Sequence, residues 1–447
     1  MLLPMTTVTP ARRPRSDPET AALATPARTR TPRPAARPGC GGGCGAAGEG
    51  LQEPLVKIAA PGLWEETEKA GAAGGAGWLH DNWPRPGFGD LREGAAGLGG
   101  IPAGGMARMA AMAPLEGESK GVEYFRLPVR SVLNRVVSGR VGFPWSINPY
   151  RGCEFGCHYC YARYTHEYME LEPQEFERKI YVKEDAAARL RRELTPERVA
   201  GQHIAIGAAT DPYQPAERRF GVTRAILEVL LDYARRRPGE LSLSITTKSN
   251  LVLKDADLLG ELARRGRLHI NMSVTTVNTR LARVLEPRAP RPDLRLGAVR
   301  ELNAAGIPAG VFAAPVLPGI TDDPTALEAL VAAAAEAGAR FLCANVVFLM
   351  PSSQKAFFPF LERRFPRLRK QYRKWFRASG YAPEAYRARI SSLMRDLRAR
   401  YGLPGSWPRD PAGPQPADYA ALAPQLALPF ASSWSHAAAP QSPRRAS

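Results

Sequence analysis

Apolar residues in the middle of the chain follow two alternating periods, one typical of buried strands and the other of amphipathic helices. Short apolar runs predict strands at 145–148, 203–207, 241–247, 268–274, 308–316 and 341–348. Apolar residues at helical spacing predict helices between them at 185–194, 222–236, 255–265, 291–305 and 325–337. This alternation indicates parallel strands joined by crossover helices.

The number of strand–helix units distinguishes between the barrel types. Six units are fewer than the eight of a closed barrel, so the pattern predicts an α/β fold, a partial and open (β/α)6 TIM-like barrel. We expect this core to span 121–350, with order beginning near Tyr124. In such barrels the chemistry lies at the carboxyl ends of the strands.

The two ends of the chain differ from this core in composition. Residues 1–113 are rich in Pro, Gly, Ala and Arg, and residues 404–447 are rich in Pro and Ala. Both regions have little apolar periodicity, so we expect them to be disordered. Cys40 and Cys44 lie in the first region without nearby partners, and we interpret them as a chance pair rather than half of a metal site.

The segment 351–403 is predicted to be a small basic helical unit. Between 351 and 402 there are 14 Lys and Arg against 3 Asp and Glu, so more than half of the net charge of +18 lies there. One interpretation is a nucleic-acid platform whose aromatic side chains stack on bases: Tyr372, Trp375 and Phe376. The other is a lid on the open barrel, favoured by apolar residues at helical spacing: Tyr386, Ile390, Leu393, Leu397 and Tyr401.

Cysteine usage and hydropathy exclude several classes of protein. Six cysteines in 447 residues, three of them in one loop, do not form a disulfide framework. No apolar run is long enough to span a bilayer. We therefore expect a soluble cytoplasmic protein with no membrane partner.

Three of these cysteines, Cys153, Cys157 and Cys160, have the spacing C-x3-C-x2-C just after the first predicted strand. Three thiolates in one loop bind an iron–sulfur cluster or zinc. Structural zinc takes four protein ligands, and the available fourth ligands are His158 and Cys343. A cubane cluster held by three cysteines leaves one iron open for another ligand.

The loop resembles the cluster-binding loop of radical S-adenosylmethionine enzymes, in which an aromatic residue, here Tyr159, precedes the third cysteine. The run 147–168 is similar to the branch related to spore photoproduct lyase. Two further stretches carry the same resemblance, Thr-Asp-Pro-Tyr-Gln-Pro-Ala-Glu at 210–217 and Thr-Thr-Lys-Ser at 246–249. The resemblance covers about residues 121–350.

The resemblance implies a [4Fe-4S] cluster on the three cysteines and S-adenosyl-L-methionine on the open iron. Lys248 is then expected to bind the carboxylate of this cofactor, Thr210 and Asp211 its ammonium and ribose, and Ser273 its ribose or carboxylate. Tyr159 is expected to pack near the adenine. An electron donor such as flavodoxin or ferredoxin is implied as a partner.

Each assignment outside the cysteines has a structural alternative. Lys248 also fits an ion-paired lysine at a strand end. Asp211 fits a turn residue, because Asp-Pro is a turn signal. Ser273 fits a core hydroxyl bonded to backbone. The catalytic residues are not predicted.

The chain also departs from the related lyases. Those enzymes carry a hydrogen-donating cysteine after the second strand, where this chain has Gly-Ala-Ala-Thr at 207–210. The Gly-Gly-Glu motif usual there is replaced by Thr-Asp-Pro-Tyr. Cys343 lies in the last strand, where a buried structural cysteine is the commoner role.

From the resemblance as a whole we expect an enzyme that starts hydrogen abstraction from an unknown substrate, with nucleic acid as one candidate. The alternative is a non-catalytic iron–sulfur protein that binds nucleic acid.

Overall fold

Eleven strands and thirteen α-helices form the described part of the chain, residues 105–136 and 142–407 of the computed structural model. The strands are β1 Leu115–Ser119, β2 Val122–Arg126, β3 Leu133–Arg135, β4 Trp145–Ile147, β5 Tyr150–Arg151, β6 Lys179–Val182, β7 His203–Ile206, β8 Ser242–Thr247, β9 Arg267–Ser273, β10 Ala309–Val316 and β11 Leu342–Val346.

The helices are α1 Gly105–Ala111, α2 Tyr164–Glu167, α3 Ala186–Glu193, α4 Pro196–Val199, α5 Glu217–Phe220, α6 Val222–Arg236, α7 Ala256–Arg265, α8 Thr279–Leu285, α9 Pro292–Ala304, α10 Pro324–Glu336, α11 Pro351–Arg364, α12 Arg369–Phe376 and α13 Glu384–Arg400. Most of both terminal regions expected to be disordered, with Cys40 and Cys44, lies outside the described residues. No helix among the described residues is long and apolar enough to cross a bilayer.

The main sheet is the predicted partial barrel. Its strands lie in the order β11-β10-β9-β8-β7-β4-β3, and the six from β4 to β11 are mutually parallel. Strand β3 adds antiparallel to β4. The prediction of six parallel strands in sequence order is confirmed, because every predicted strand overlaps an observed one.

A second sheet, with strands in the order β1-β2-β6-β5, lies beside the cysteine loop. It was not predicted, and its strands β1 and β2 precede or include Tyr124. Helix α1 lies earlier still, so the expectation that order begins near Tyr124 was wrong. Strand β5 has only two residues, and its pairing with β6 fixes the start of the cysteine loop.

Side chains alternate between the two faces of the barrel strands. In β9, Leu268, Ile270 and Met272 are at most 2% exposed and belong to the core cluster with the surrounding helices. The opposite face of the barrel strands is largely polar. In its interior, both ring nitrogens of His203 lie 2.8 Å from serine hydroxyls of β8. Towards the amino end, the ring of Trp407 stacks on His269 with centroids 6.0 Å apart.

The segment 351–403 packs against the barrel as a lid. Tyr372, Phe376 and Tyr386 are at most 1% exposed. The Tyr372 hydroxyl donates to the carbonyl of Pro318 (2.8 Å), and the Tyr386 hydroxyl donates to Asp322 (2.7 Å). Tyr372 and Phe376 are thus core residues and cannot stack on bases, which corrects that part of the platform interpretation. The outer face is exposed and basic: Arg363, Arg364, Arg367, Arg369 and Lys370.

Candidate metal and cofactor centre

A glycine fixes the start of the cysteine loop. Gly152 has φ +84°, and a Cβ there would lie 2.6 Å from the carbonyl oxygen of Lys179. Only glycine tolerates both the conformation and the close approach. The next residue, Cys153, donates its backbone N–H to the carbonyl of Phe176 (3.0 Å). The first cysteine is therefore set by backbone contacts.

Polar side chains from the loop after β7 support the same loop. Thr210 donates its hydroxyl to the carbonyl of Gly152 (2.6 Å), and the amide of Gln214 donates to that hydroxyl (3.0 Å). The Gln214 carbonyl accepts from the backbone N–H of Glu154 (2.9 Å). Thr210 thus has a role in holding the cysteine loop, because the only proton of its hydroxyl is donated to the Gly152 carbonyl.

Arg163 and His166, which follow the third cysteine, also hold the loop. Arg163 is 1% exposed and donates to the carbonyl of Cys157 (3.1 Å) and to Glu177 (2.6 Å). His166 is fully buried, with its Nε2 3.0 Å from the carbonyl of Lys179. Both side chains hold the shape of the loop.

The three thiols fit a cluster better than a single metal ion. Cys153, Cys157 and Cys160 are free, and the first and third are half-buried. Among the described residues, no three His, Cys, Asp or Glu side chains converge as ligands of one ion. The sulfur ligands of zinc all lie about 2.3 Å from one point, whereas each thiolate of a cluster binds its own iron. Burial raises the pKa of the Cys157 thiol to about 12, against the effect of Lys248, so metal binding must release its proton.

Lys248 follows β8 and ends beside this loop. Its Nζ lies 5.8 Å from the centre of the Tyr159 ring. Burial works to lower the pKa of Lys248, but negative charge on Cys157 and Glu286 outweighs it and raises the pKa above its usual value. No described residue accepts a hydrogen bond from its ammonium. A charged, unpaired ammonium beside the thiols suits an incoming carboxylate.

Asp211 has the role of a turn residue, which was the alternative to cofactor binding. One carboxylate oxygen accepts from the N–H of Tyr213 (2.9 Å) and the hydroxyl of Thr247 (2.6 Å). The other accepts from the N–H of Lys248 (2.7 Å). Asp211 therefore joins the ends of β7 and β8 and places Lys248, which leaves little of it for a ligand.

Tyr159 is held by a buried ionic network that sequence reasoning missed. Its hydroxyl donates to Glu286 and lies 3.0 Å from the hydroxyl of Thr275. The other Glu286 oxygen pairs with Arg295 (2.5 Å), and both of these residues are 1% exposed. Although burial opposes it, Arg295 and Lys248 lower the pKa of Glu286 to about 2. The network fixes the ring that faces Lys248.

Ser273 ends β9 and is 5% exposed. Its hydroxyl makes no hydrogen bond to another described residue, so the core-hydroxyl alternative finds no backbone partner there. Its carbonyl accepts from Arg295 (3.1 Å), which ties this strand end to the network behind Tyr159. Ser273 and Lys248 are the predicted site residues whose polar atoms are left for a ligand.

Gly207, the first residue of the stretch 207–210 in which this chain lacks the cysteine of the related lyases, has no room for a side chain. This residue has φ +87°, and a Cβ there would lie 2.6 Å from the carbonyl oxygen of Thr246. The remaining described cysteine, Cys343, lies in β11 paired with Phe312 of β10. Burial raises the pKa of its thiol to about 12. It is neutral at pH 7.

Comparison with known proteins agrees with this geometry. Residues 147–330 match the radical SAM superfamily. An uncharacterized protein of Mycobacterium tuberculosis is 34% identical over 312 residues, which cover 69% of this chain and 89% of the relative. An uncharacterized protein of Methanocaldococcus jannaschii is 29% identical over 185 residues, 40% of this chain and 63% of the relative.

Among solved structures, a spore photoproduct lyase variant with bound AdoMet and dinucleoside spore photoproduct has a TM-score of 0.48 at 17% identity. The alignment covers 69% of this chain and 86% of that one. The superfamily match includes the cysteine loop, Lys248 and Ser273. The chain belongs to the radical SAM superfamily, whose enzymes use a [4Fe-4S] cluster and S-adenosyl-L-methionine.

Proposed function

We propose that Cys153, Cys157 and Cys160 hold the cluster, that Lys248 binds the carboxylate of S-adenosylmethionine, and that the enzyme begins its reaction by abstracting hydrogen from its substrate. The observation that carries this is the ammonium of Lys248, 5.8 Å from the Tyr159 ring and without an acceptor among the described residues. Cluster and cofactor together supply radical chemistry after one-electron reduction.

The chain's own residues would bind and orient the cofactor in three ways. Lys248 offers a charge-assisted hydrogen bond to the carboxylate. Ser273, at the end of β9, offers a hydroxyl to the ribose or carboxylate. The ring of Tyr159 offers an apolar face near the adenine. Thr210 and Asp211 act through the loop and through Lys248, as positioning residues.

We also propose nucleic acid as the substrate class. The support is the exposed basic outer face of the lid, Arg363 to Lys370. This face begins at the end of α11, the helix whose Ser353 contacts the cysteine loop. Cations in such a cluster neutralise phosphates and release their counterions. The same face would attract an acidic electron donor such as flavodoxin or ferredoxin, in the reducing cytoplasm.

Anaerobic reconstitution tests the proposal. The wild type should bind about four irons per chain and form 5′-deoxyadenosine when S-adenosylmethionine and dithionite are supplied. Cys157→Ala should lose both, whereas Cys343→Ala, the matched cysteine control, should keep both. A Cys157→Ala protein that still forms 5′-deoxyadenosine would sink the proposal.

A second candidate function is non-catalytic binding of nucleic acid, which the same basic face supports. Binding to a DNA or RNA duplex should then fall steeply as salt is added, while no 5′-deoxyadenosine forms. Deuterium tracing distinguishes the two, because only an active enzyme transfers label between a macromolecule in a crude extract and deoxyadenosine.

A further inference from the structure

Two cationic side chains lie next to each other beside the cysteine loop. Arg151 ends β5 and Lys183 directly follows β6, and these strands pair antiparallel. The backbone N–H of Lys183 donates to the carbonyl of Pro149 (3.3 Å), so Lys183 lies opposite Pro149, two residues before Arg151 and on the same face of the sheet. Lys183 is 4% exposed. A lysine is rarely this buried unless it is paired.

Neither cation has an anionic partner among the described residues. The Nε of Arg151 is buried without any hydrogen bond, and no carboxylate of the described residues lies within ion-pair distance of either side chain. Burial, then repulsion by Arg151, lowers the pKa of Lys183 to about 7, and Glu193 opposes the shift. The Glu193 carboxylate is itself held by the backbone N–H groups of Val132 (3.1 Å) and Leu133 (2.8 Å).

Two exposed tyrosines lie near Arg151. Tyr164 is 36% and Tyr168 65% exposed, and their rings meet edge to face with centroids 5.6 Å apart. Both phenols interact electrostatically with Arg151, and Tyr164 also interacts with Cys160. Arg151 is therefore close to an exposed pair of aromatic rings, one of which is also close to the third cysteine.

We propose that Arg151 and Lys183 form a binding site for a phosphate group, with Tyr164 and Tyr168 contacting the adjoining base or sugar. An unpaired buried charge is costly, and a bound anion removes that cost. The guanidinium fork matches phosphate oxygens, and a lysine beside it adds a second charge. Aromatic rings next to such cations suit nucleotides. The assignment of this phosphate to the substrate rests on the proposed function, whereas the site itself does not depend on it.

Thermal unfolding with and without inorganic phosphate, at constant ionic strength set by chloride, tests the site. Phosphate should raise the Tm of the wild type. Lys183→Met should unfold at a higher temperature than the wild type in chloride, because it removes an unpaired buried charge, and should not respond to phosphate. Arg151→Gln should also lose the response, whereas Lys254→Met, which changes an exposed lysine, should keep it.

Two results would overturn the site: a phosphate response in Lys183→Met equal to that of the wild type, or no response in the wild type. A Lys183→Met protein that is less stable in chloride would show that the lysine is a structural ion-pair partner, which also overturns it. Iron content and 5′-deoxyadenosine are measured on the same wild-type preparation. Their absence would refute the proposed function and leave the phosphate result standing.

Fluorescence anisotropy separates the two sources of phosphate. A labelled thymidine oligonucleotide should bind at least about tenfold more tightly to the wild type than to Lys183→Met. Competition by thymidine monophosphate as strong as that by the unlabelled oligonucleotide would assign the site to a free nucleotide instead of a phosphodiester. Competition by neither would overturn the proposal.

Discussion

The imidazole of His158 stacks on the ring of Phe360, with centroids 4.0 Å apart and planes 10° from parallel. On the same helix, α11, the Ser353 hydroxyl donates to the carbonyl of Cys160 (3.2 Å). Burial lowers the pKa of His158 to about 4, so the ring is neutral when it stacks. The lid therefore contacts the cysteine loop at two points.

Phe360→Ala should loosen the cluster as well as the fold. Truncating a buried phenylalanine costs about 3–5 kcal/mol in free energy of unfolding, and here it also removes the stack on His158. We expect faster loss of iron to a chelator, followed by absorbance. Phe357→Ala is the matched control, because Phe357 is fully buried on the same helix but packs on Tyr372 and Phe360 and not on His158. Equal rates of iron loss in the two variants would contradict the expectation.

Lys248→Met should weaken binding of S-adenosylmethionine without loss of iron. Removing one charge-assisted hydrogen bond worth about 1.5–3 kcal/mol lowers affinity roughly 10- to 150-fold. Equilibrium dialysis of the reconstituted protein measures the affinity. Lys254→Met, six residues further along, should bind like the wild type. Unchanged affinity in Lys248→Met would assign the lysine to a structural role.

Glu286→Gln should destabilise the fold strongly, because it leaves the buried guanidinium of Arg295 without its counter-ion. The expected loss in free energy of unfolding is about 3–5 kcal/mol, measured by urea titration. Glu261→Gln removes a partner of Arg235 that lies at the surface (2.8 Å, with Arg235 50% exposed), and should cost much less. Similar losses in free energy of unfolding in both variants would show that the buried Glu286–Arg295 pair stabilises the fold no more than the surface pair does.

Stability should fall with acid in two steps. Burial lowers the pKa of His166 to about 4 and that of His269 to about 3. Below about pH 6.5 the unfolded chain therefore takes up protons that the folded chain does not, and the free energy of unfolding falls until these folded pKa values are reached. Glu286 acts lower. Its stabilisation is complete above about pH 4.3 and is lost as pH falls toward 2.

His269→Phe checks the first step, because phenylalanine keeps the stack on Trp407 but cannot take up a proton. Its free energy of unfolding should depend less steeply on pH between about 6 and 4, by up to about 1.4 kcal/mol per pH unit. Urea titrations at several pH values measure the slope. A slope equal to that of the wild type would show that His269 does not cause the loss.

Local pattern predicted the barrel, because its parallel strands are apolar runs. The resemblance assigned Lys248 and Ser273 to the cofactor, and both lie at strand ends, which meet at one edge of the sheet. Short strands with distant partners leave no such pattern. Strand β5 has two residues, and β2 pairs with β6 more than fifty positions away.

The tertiary partners of polar residues could not be predicted. Glu286 and Arg295 are nine residues apart across a loop, a spacing that no helix or strand period singles out. Tyr159 lies 127 positions from Glu286. Asp211 and Thr210 were assigned to the cofactor by resemblance, yet their hydrogen bonds turn inward to Lys248 and Gly152. The residue types indicated that polar groups lie at this edge of the sheet, but not which of these groups are already hydrogen-bonded to other residues.

Contacts between the barrel and residues 398–407 bear on where an expression fragment can stop. Leu342 of β11 donates its N–H to the carbonyl of Pro404 (2.9 Å), and its carbonyl accepts from Arg398 (3.2 Å). Trp407 then covers His269 towards the amino end of the barrel. A fragment cut at residue 350 would expose the edge of β11 to strand pairing with other chains. We therefore expect expression fragments that extend through Trp407 to be more stable than fragments cut at residue 350.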